Sequence, residues 1–113
     1  MPAANRSSVR DLIQTADQLH RELWTSWASC LRSYSALHGL TSVHHAVVEV
    51  GADEILLRVD ARWLRFTADH MQDSEGKELS FALNEDGTVQ VGGENSAMDL
   101  AAEEFARTLL HPA

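Results

Sequence analysis

The chain has 113 residues, 44% of them apolar, and a net charge of −8 from 9 Lys and Arg against 17 Asp and Glu. That length supports one hydrophobic core and not two. No apolar run approaches the ~20 residues that cross a bilayer. The acidic surplus opposes the phosphate neutralisation on which nucleic-acid binding depends. Neither a membrane nor a nucleic acid is therefore expected as a partner.

The charge is unevenly placed. Residues 1–40 hold four Arg against Asp11, Asp17 and Glu22, whereas residues 41–113 hold five basic residues against fourteen acids. The N-terminus lacks the apolar core of a signal peptide, and one cysteine permits no internal disulfide, so cytoplasmic residence is expected.

Residues 1–6 are predicted to be disordered and residues 7–113 to form a single α+β domain. The first element is an amphipathic helix from Ser8 to His38. Its apolar residues recur at helical spacing: Val9, Leu12, Ile13, Ala16, Leu19, Leu23, Trp24, Trp27, Leu31, Tyr34 and Leu37. Ser8 followed by Asp11 forms its cap, and Gly39 suits the turn after it. The serines and threonine around Thr25-Ser26 are poor helix formers, so the helix either bends there or runs straight. Straight, it would reach roughly 46 Å at about 1.5 Å per residue. A domain of this size has a radius of gyration near ~13 Å. Such a helix would overhang its own domain, and a second copy or a partner is expected to cover the overhang.

The middle reads as antiparallel hairpins. Val43 to Val50 alternates, with His44, Ala46, Val48 and Val50 on one face. The turn Gly51-Ala52-Asp53-Glu54 pairs Val50 with Ile55, Val48 with Leu57 and Ala46 with Val59. A loop at Asp60-Ala61, of two or four residues, sets Leu57 across from Leu64 and Ile55 across from Phe66. All three strands then share one apolar side, which a one-residue slip would destroy. Asp69 to Glu78 is expected as a polar loop. Leu79, Phe81 and Leu83 alternate as a fourth strand. Asn84 to Thr88 is a three-residue hairpin loop with Gly87 left-handed, pairing Leu83 with Val89 and Phe81 with Val91. Gly92-Gly93 ends the fifth strand. Ser96 and Asp99 cap a second helix that runs to about Leu110 with Met98, Ala101, Ala102, Phe105 and Leu109 on its apolar face. The expected fold is α+β: a long N-terminal helix, a five-stranded antiparallel meander sheet and a C-terminal helix, both helices on one sheet face.

Chemistry-bearing patterns are sparse. His44 and His45 are neighbours on a strand and point to opposite faces, so they do not share an ion. His20, His38, His70 and His111 are scattered as surface or cap residues. Asp69, Asp73, Glu75 and Glu78 fit a calcium loop only loosely and read as a solvated loop. Cys30, inside the helix near Trp27, reads as a small buried hydrophobe. Gly92-Gly93 before a helix faces Glu94 and Asp99, which would oppose a phosphate. No catalytic constellation, metal site or cofactor is predicted.

The aromatic residues carry the remaining expectations. Trp24 and Trp27 share one helix face, as core or as an association surface. Trp63 points away from the core beside Leu56, Arg58 and Arg65, with Val47 further along, a patch suited to a protein contact. The expected interaction surface is Val47, Leu56, Trp63, Arg65, Trp24 and Trp27. The expected function is that of a small, non-enzymatic homodimer that binds another polypeptide. The alternative is a binder of a small apolar ligand, or a modest enzyme, with a pocket between the first helix and the sheet lined by Trp27, Cys30, Tyr34 and His44.

Overall fold

The computed structural model describes residues 2–112, with side chains from Asp17 onward. The expected disorder at 1–6, the Ser8–Asp11 cap and the apolar positions Val9, Leu12, Ile13 and Ala16 lie outside the side chains described. The first helix, α1 (Pro2–Gly39), passes through Thr25 and Ser26 without interruption, and 23 of its residues carry described side chains. Trp24, Trp27, Ala28, Leu31 and Ser35 form its buried stripe. Their spacing of three and four is what places them on one face. Leu37, assigned to that stripe by periodicity, falls off it and is 55% exposed.

Seven strands follow: β1 (Ala46–Val50), β2 (Ile55–Val59), β3 (Arg62–Phe66), β4 (His70–Asp73), β5 (Glu78–Leu83), β6 (Thr88–Val91) and β7 (Glu94–Ala97). They lie side by side in chain order as an antiparallel meander. The helix α2 (Met98–Leu110) then closes the chain. Both helices pack against the sheet, so the α+β class stands, while the strand count is seven and not five.

The registers expected from alternation are observed. Val50 faces Ile55, Val48 faces Leu57 and Ala46 faces Val59. Leu57 faces Leu64 and Ile55 faces Phe66, while Phe81 faces Val91 and Leu83 faces Val89. Val59 also pairs with Arg62, so the Asp60-Ala61 loop has two residues, and Asp60 takes the positive φ of 55°. The first strand starts at Ala46 rather than Val43, leaving His44 ahead of it.

The two additional strands have physical reasons for escaping a pattern reading. In β4 only Met71 points inward, paired with Phe66 on one side and Leu79 on the other. One apolar residue in four makes no period. In β7 all four residues are exposed, and the strand exists because Gly92 and Gly93, at φ 58° and 94°, close a two-residue hairpin. Positive φ at both central positions is the requirement of the tightest hairpin turn, and Gly meets it without a Cβ clash. Ser96 therefore lies in a strand and does not cap α2, whose first flanking residue is Ala97 without a side-chain cap.

The core sits between the helices and the inner sheet face. Trp27 is fully buried, with ring centroids 5.3 Å from Phe66, 5.6 Å from Phe81 and 6.2 Å from Phe105. Edge-to-face and tilted rings at these separations add to the stabilisation from burial alone. From α2, Met98, Ala101, Ala102, Ala106, Leu109 and Leu110 are buried. Two polar ties brace the frame. Trp24 Nε1 donates to the Gly51 carbonyl at 2.9 Å, fixing α1 to the β1–β2 turn. Arg62 donates to the Leu109 carbonyl near the C-terminal end of α2, where a cation also complements the helix dipole.

Candidate interaction surfaces

Trp24 and Trp27 are not an association surface in this protein: they are 7% and 0% exposed and belong to the core. A helical apolar stripe marks a face that is covered and says nothing of what covers it. Here the sheet and α2 cover it.

The outer-face residues lie where alternation put them, in a different arrangement from the expected one. Across the strands, Val47 faces Arg58 and Arg58 faces Trp63, while Glu49 faces Leu56 and Leu56 faces Arg65. Leu56 is therefore only a diagonal neighbour of Val47 and of Trp63, roughly 7–8 Å between Cα atoms, and Arg58 separates Val47 from Trp63. The arginines interleave with them and do not form a rim. Arg65 stacks its guanidinium 5.2 Å above the Trp63 ring and binds Glu54 at 3.2 Å. Arg58 binds Glu49 at 3.2 Å. Trp63, Leu56 and Arg65 are half-buried by these contacts, and Val47 remains 44% exposed.

The four residues expected to line a pocket under α1 are not brought together as one site. Trp27 fills the space itself, wedged against Phe66 and Phe81. Cys30 and Tyr34 face the start of α2. Burial first, then the Asp99 carboxylate, pushes the Cys30 thiol up. Burial, Asp99 and Glu103 push the Tyr34 phenol up. Both shifts favour the protonated forms, the opposite of what a nucleophilic thiolate needs. His44 sits elsewhere, its Nδ1 2.6 Å from the Asp60 carboxylate at the β2–β3 turn.

The acidic loop is accounted for by local bonding. Asp73 accepts the backbone N–H groups of Glu75 and Lys77, each at 2.9 Å, which shapes the turn into β5. Asp69 accepts from His70 and Thr67, the His70 bond being the main reason its carboxyl is held below the ordinary range. Among the described residues no three His, Cys, Asp or Glu side chains gather where they would hold a metal ion. No described helix is long and apolar enough to cross a membrane.

The most distinctive surface is one the sequence reading passed over. Six large apolar side chains are exposed among the described residues, and five of them, Leu37, Leu40, Val43, Val47 and Val50, fall between residues 37 and 50. This segment runs from the end of α1 into β1, the terminal strand of the sheet. A groove of about 360 Å³ opens beside it, lined from α1 by Arg32, Ser35 and Ala36 and from β1 by Ala46 and Val48. Ser35 is 7% exposed, and its hydroxyl has no hydrogen-bond partner. The signal was present in the sequence as Ala46-Val47-Val48-Glu49-Val50, a strand with one charge and no proline. Its meaning depends on strand order, because the same residues in a central strand would be unremarkable.

A second depression lies beside α2, about 420 Å³, with Leu64, Met71, Leu79, Phe105 and Leu109 among its lining and Trp63 at its margin.

Compared with known proteins, the chain matches no family model, no curated protein and no solved structure, so its function is read from this geometry alone.

Proposed function

We propose that the protein is a non-enzymatic interaction module that works as a homodimer, its two copies joined through β1 and the apolar segment that leads into it. The observation that carries this reading is the concentration of exposed apolar side chains between residues 37 and 50, leading into the terminal strand of the sheet, which pairs with no second strand among the described residues. Exposed apolar area of this kind is characteristic of surfaces that are covered in the working state. A second copy is the occupant favoured by strand chemistry, since an antiparallel edge is complementary to itself about a two-fold axis. The edge's one charge, Glu49, is already neutralised by Arg58 at 3.2 Å, so two edges meet without a bare carboxylate between them.

The reading is tested by light scattering coupled to gel filtration on untagged protein at micromolar concentration. Twice the chain mass is expected. A monodisperse monomer across the whole concentration range rejects it.

A second reading is favoured by the depression beside α2, whose apolar floor of Met71, Leu79, Phe105 and Leu109 suits a small apolar ligand. It differs from the expected pocket of Trp27, Cys30, Tyr34 and His44, which do not gather at one site. Native mass spectrometry that reveals a retained small molecule, lost on Phe105→Ala but kept on Val50→Lys, would favour this reading over the first.

A further inference from the structure

Which backbone groups of β1 face outward follows from its pairing with β2. The Gly51 N–H donates to the Glu54 carbonyl at 2.8 Å, so that residue pair is hydrogen-bonded. In an antiparallel ladder such pairs alternate with non-bonded ones. The register Glu49 to Leu56 and Val47 to Arg58 then places the odd-numbered residues of β1 on the bonds to β2. The N–H and C=O groups of Ala46, Val48 and Val50 point away from the sheet, into the open edge.

We infer that two copies join by pairing β1 with β1 in antiparallel fashion about a two-fold axis at Val48, which makes one continuous fourteen-stranded sheet from two seven-stranded ones. This rests on the homodimer reading above and specifies its geometry. Only pairings that set even-numbered residues against even-numbered ones connect the free backbone groups, which leaves three central registers. With Val48 opposite Val48, Ala46 faces Val50 of the second copy, Val47 faces its Glu49, and all five strand residues are used. A shift that sets Val47 opposite Val47 leaves Val50 across from His44, ahead of the strand. A shift that sets Glu49 opposite Glu49 brings two carboxylates face to face, which is unfavourable. The Val48 register is the one that uses the whole strand and keeps the two Glu49 side chains apart, each on its own Arg58.

The same register explains the groove. In it, the inward side chains of β1 from the second copy enter the space beside Ser35 and Ala36. Exposed Val50, together with Leu40 and Val43 nearby, then lies along the seam rather than in water. Both α1 helices end on the same face of the joined sheet, because a two-fold axis perpendicular to a sheet keeps its faces on the same side.

Disulfide trapping tests the register directly. Val47 and the second copy's Glu49 form a non-hydrogen-bonded pair with Cα atoms about 4.5 Å apart, within disulfide reach. In a Cys30→Ala background, Val47→Cys and Glu49→Cys chains are prepared separately, then mixed, unfolded, refolded together and mildly oxidised. Covalent dimer is expected to accumulate in the mixture and not with either variant alone. Linkage of Val47→Cys by itself, or of Glu49→Cys by itself, identifies one of the shifted registers and overturns this one. No linkage in any sample, with light scattering still reporting a dimer, rejects the edge pairing and leaves the homodimer reading standing. A monomer by light scattering rejects both.

Discussion

The two edges of the sheet are built to opposite rules. At one end, β7 is Glu94-Asn95-Ser96-Ala97, exposed at every residue, polar at three of four, and held by the Gly92-Gly93 turn on one side and α2 on the other. At the other end, β1 is Ala46-Val47-Val48-Glu49-Val50, with a single acid that is already paired and with Leu40 and Val43 exposed nearby. Free strand edges invite pairing with other chains, and proteins ordinarily blunt them with charge, proline, shortness or a cover. A chain that blunts one edge and leaves the other apolar distinguishes between them. In the proposed assembly the first is an end of the molecule and the second is the junction.

The largest effect expected from this contrast comes from giving β1 the character of β7. Val50→Lys sets a lysine against the second copy's Ala46 in the seam, and a two-fold axis counts the change twice. The dimer dissociation constant is expected to rise roughly 10- to 100-fold, from cross-strand pairs of about 0.2–1 kcal/mol each together with lost apolar burial. Analytical ultracentrifugation reads it. The same charge at the far edge, Ser96→Lys, is expected to leave the constant unchanged. Equal sensitivity at both edges would remove the distinction on which the assembly argument rests.

A smaller effect separates what holds each edge in place. Gly93 sits at φ 94° in the turn that makes β7 a strand, with nothing within 4 Å of where a Cβ would be. The cost of Gly93→Ala is therefore conformational rather than steric, about 1–2 kcal/mol for a left-handed residue with a side chain. It is read as a lower urea midpoint with unchanged slope. Dimerisation should be indifferent to it, because β7 stands at the opposite end of the sheet from β1.

How far this architecture was legible in the chain depends on the kind of signal each element carries. Where inward side chains alternate, as in Ile55, Leu57 and Val59 or in Phe81 and Leu83, the period of two fixes face and partner together, and the expected registers hold. Where a strand owes its place to its neighbours, as β4 does to Phe66 and Leu79 around one Met71, no period exists to be read. For β7 the only sign is the glycine pair, which reads equally well as the end of a strand or the turn of a hairpin. The candidate surface divides in the same way. Trp63 could be placed on the outer face by parity, but its half-burial beneath Arg65 depends on a stacking contact that no spacing encodes. Trp24 and Trp27 show the limit of helical periodicity, which finds the covered face without naming the cover. The apolar edge at β1 required strand order, a property of the whole sheet and of no single segment.

The smallest expected effect concerns the polar end of the sheet and its response to acid. Asp86, in the β5–β6 loop, accepts from the hydroxyl and the N–H of Thr88, and these bonds hold its carboxyl below its ordinary value of 3.8. A carboxyl lowered in the folded state stabilises that state above the unfolded-state value, and the contribution disappears as pH falls through the lower folded-state value. The loop is also tied to α2, since the Gly87 carbonyl accepts the Met98 N–H at 3.1 Å. Acid should therefore loosen the β6 end of the sheet through Asp86. The Thr88 amide resonance is expected to titrate with an inflection below 3.8. Asp86→Asn should abolish that inflection and flatten the fall in stability below about pH 4. An inflection at or above the ordinary value would mean that the Thr88 bonds do not favour the ionised carboxylate. The polar end of the sheet would then lack the Asp86 tether as an acid-sensitive element, and the contrast between the two edges would reduce to their apolar content.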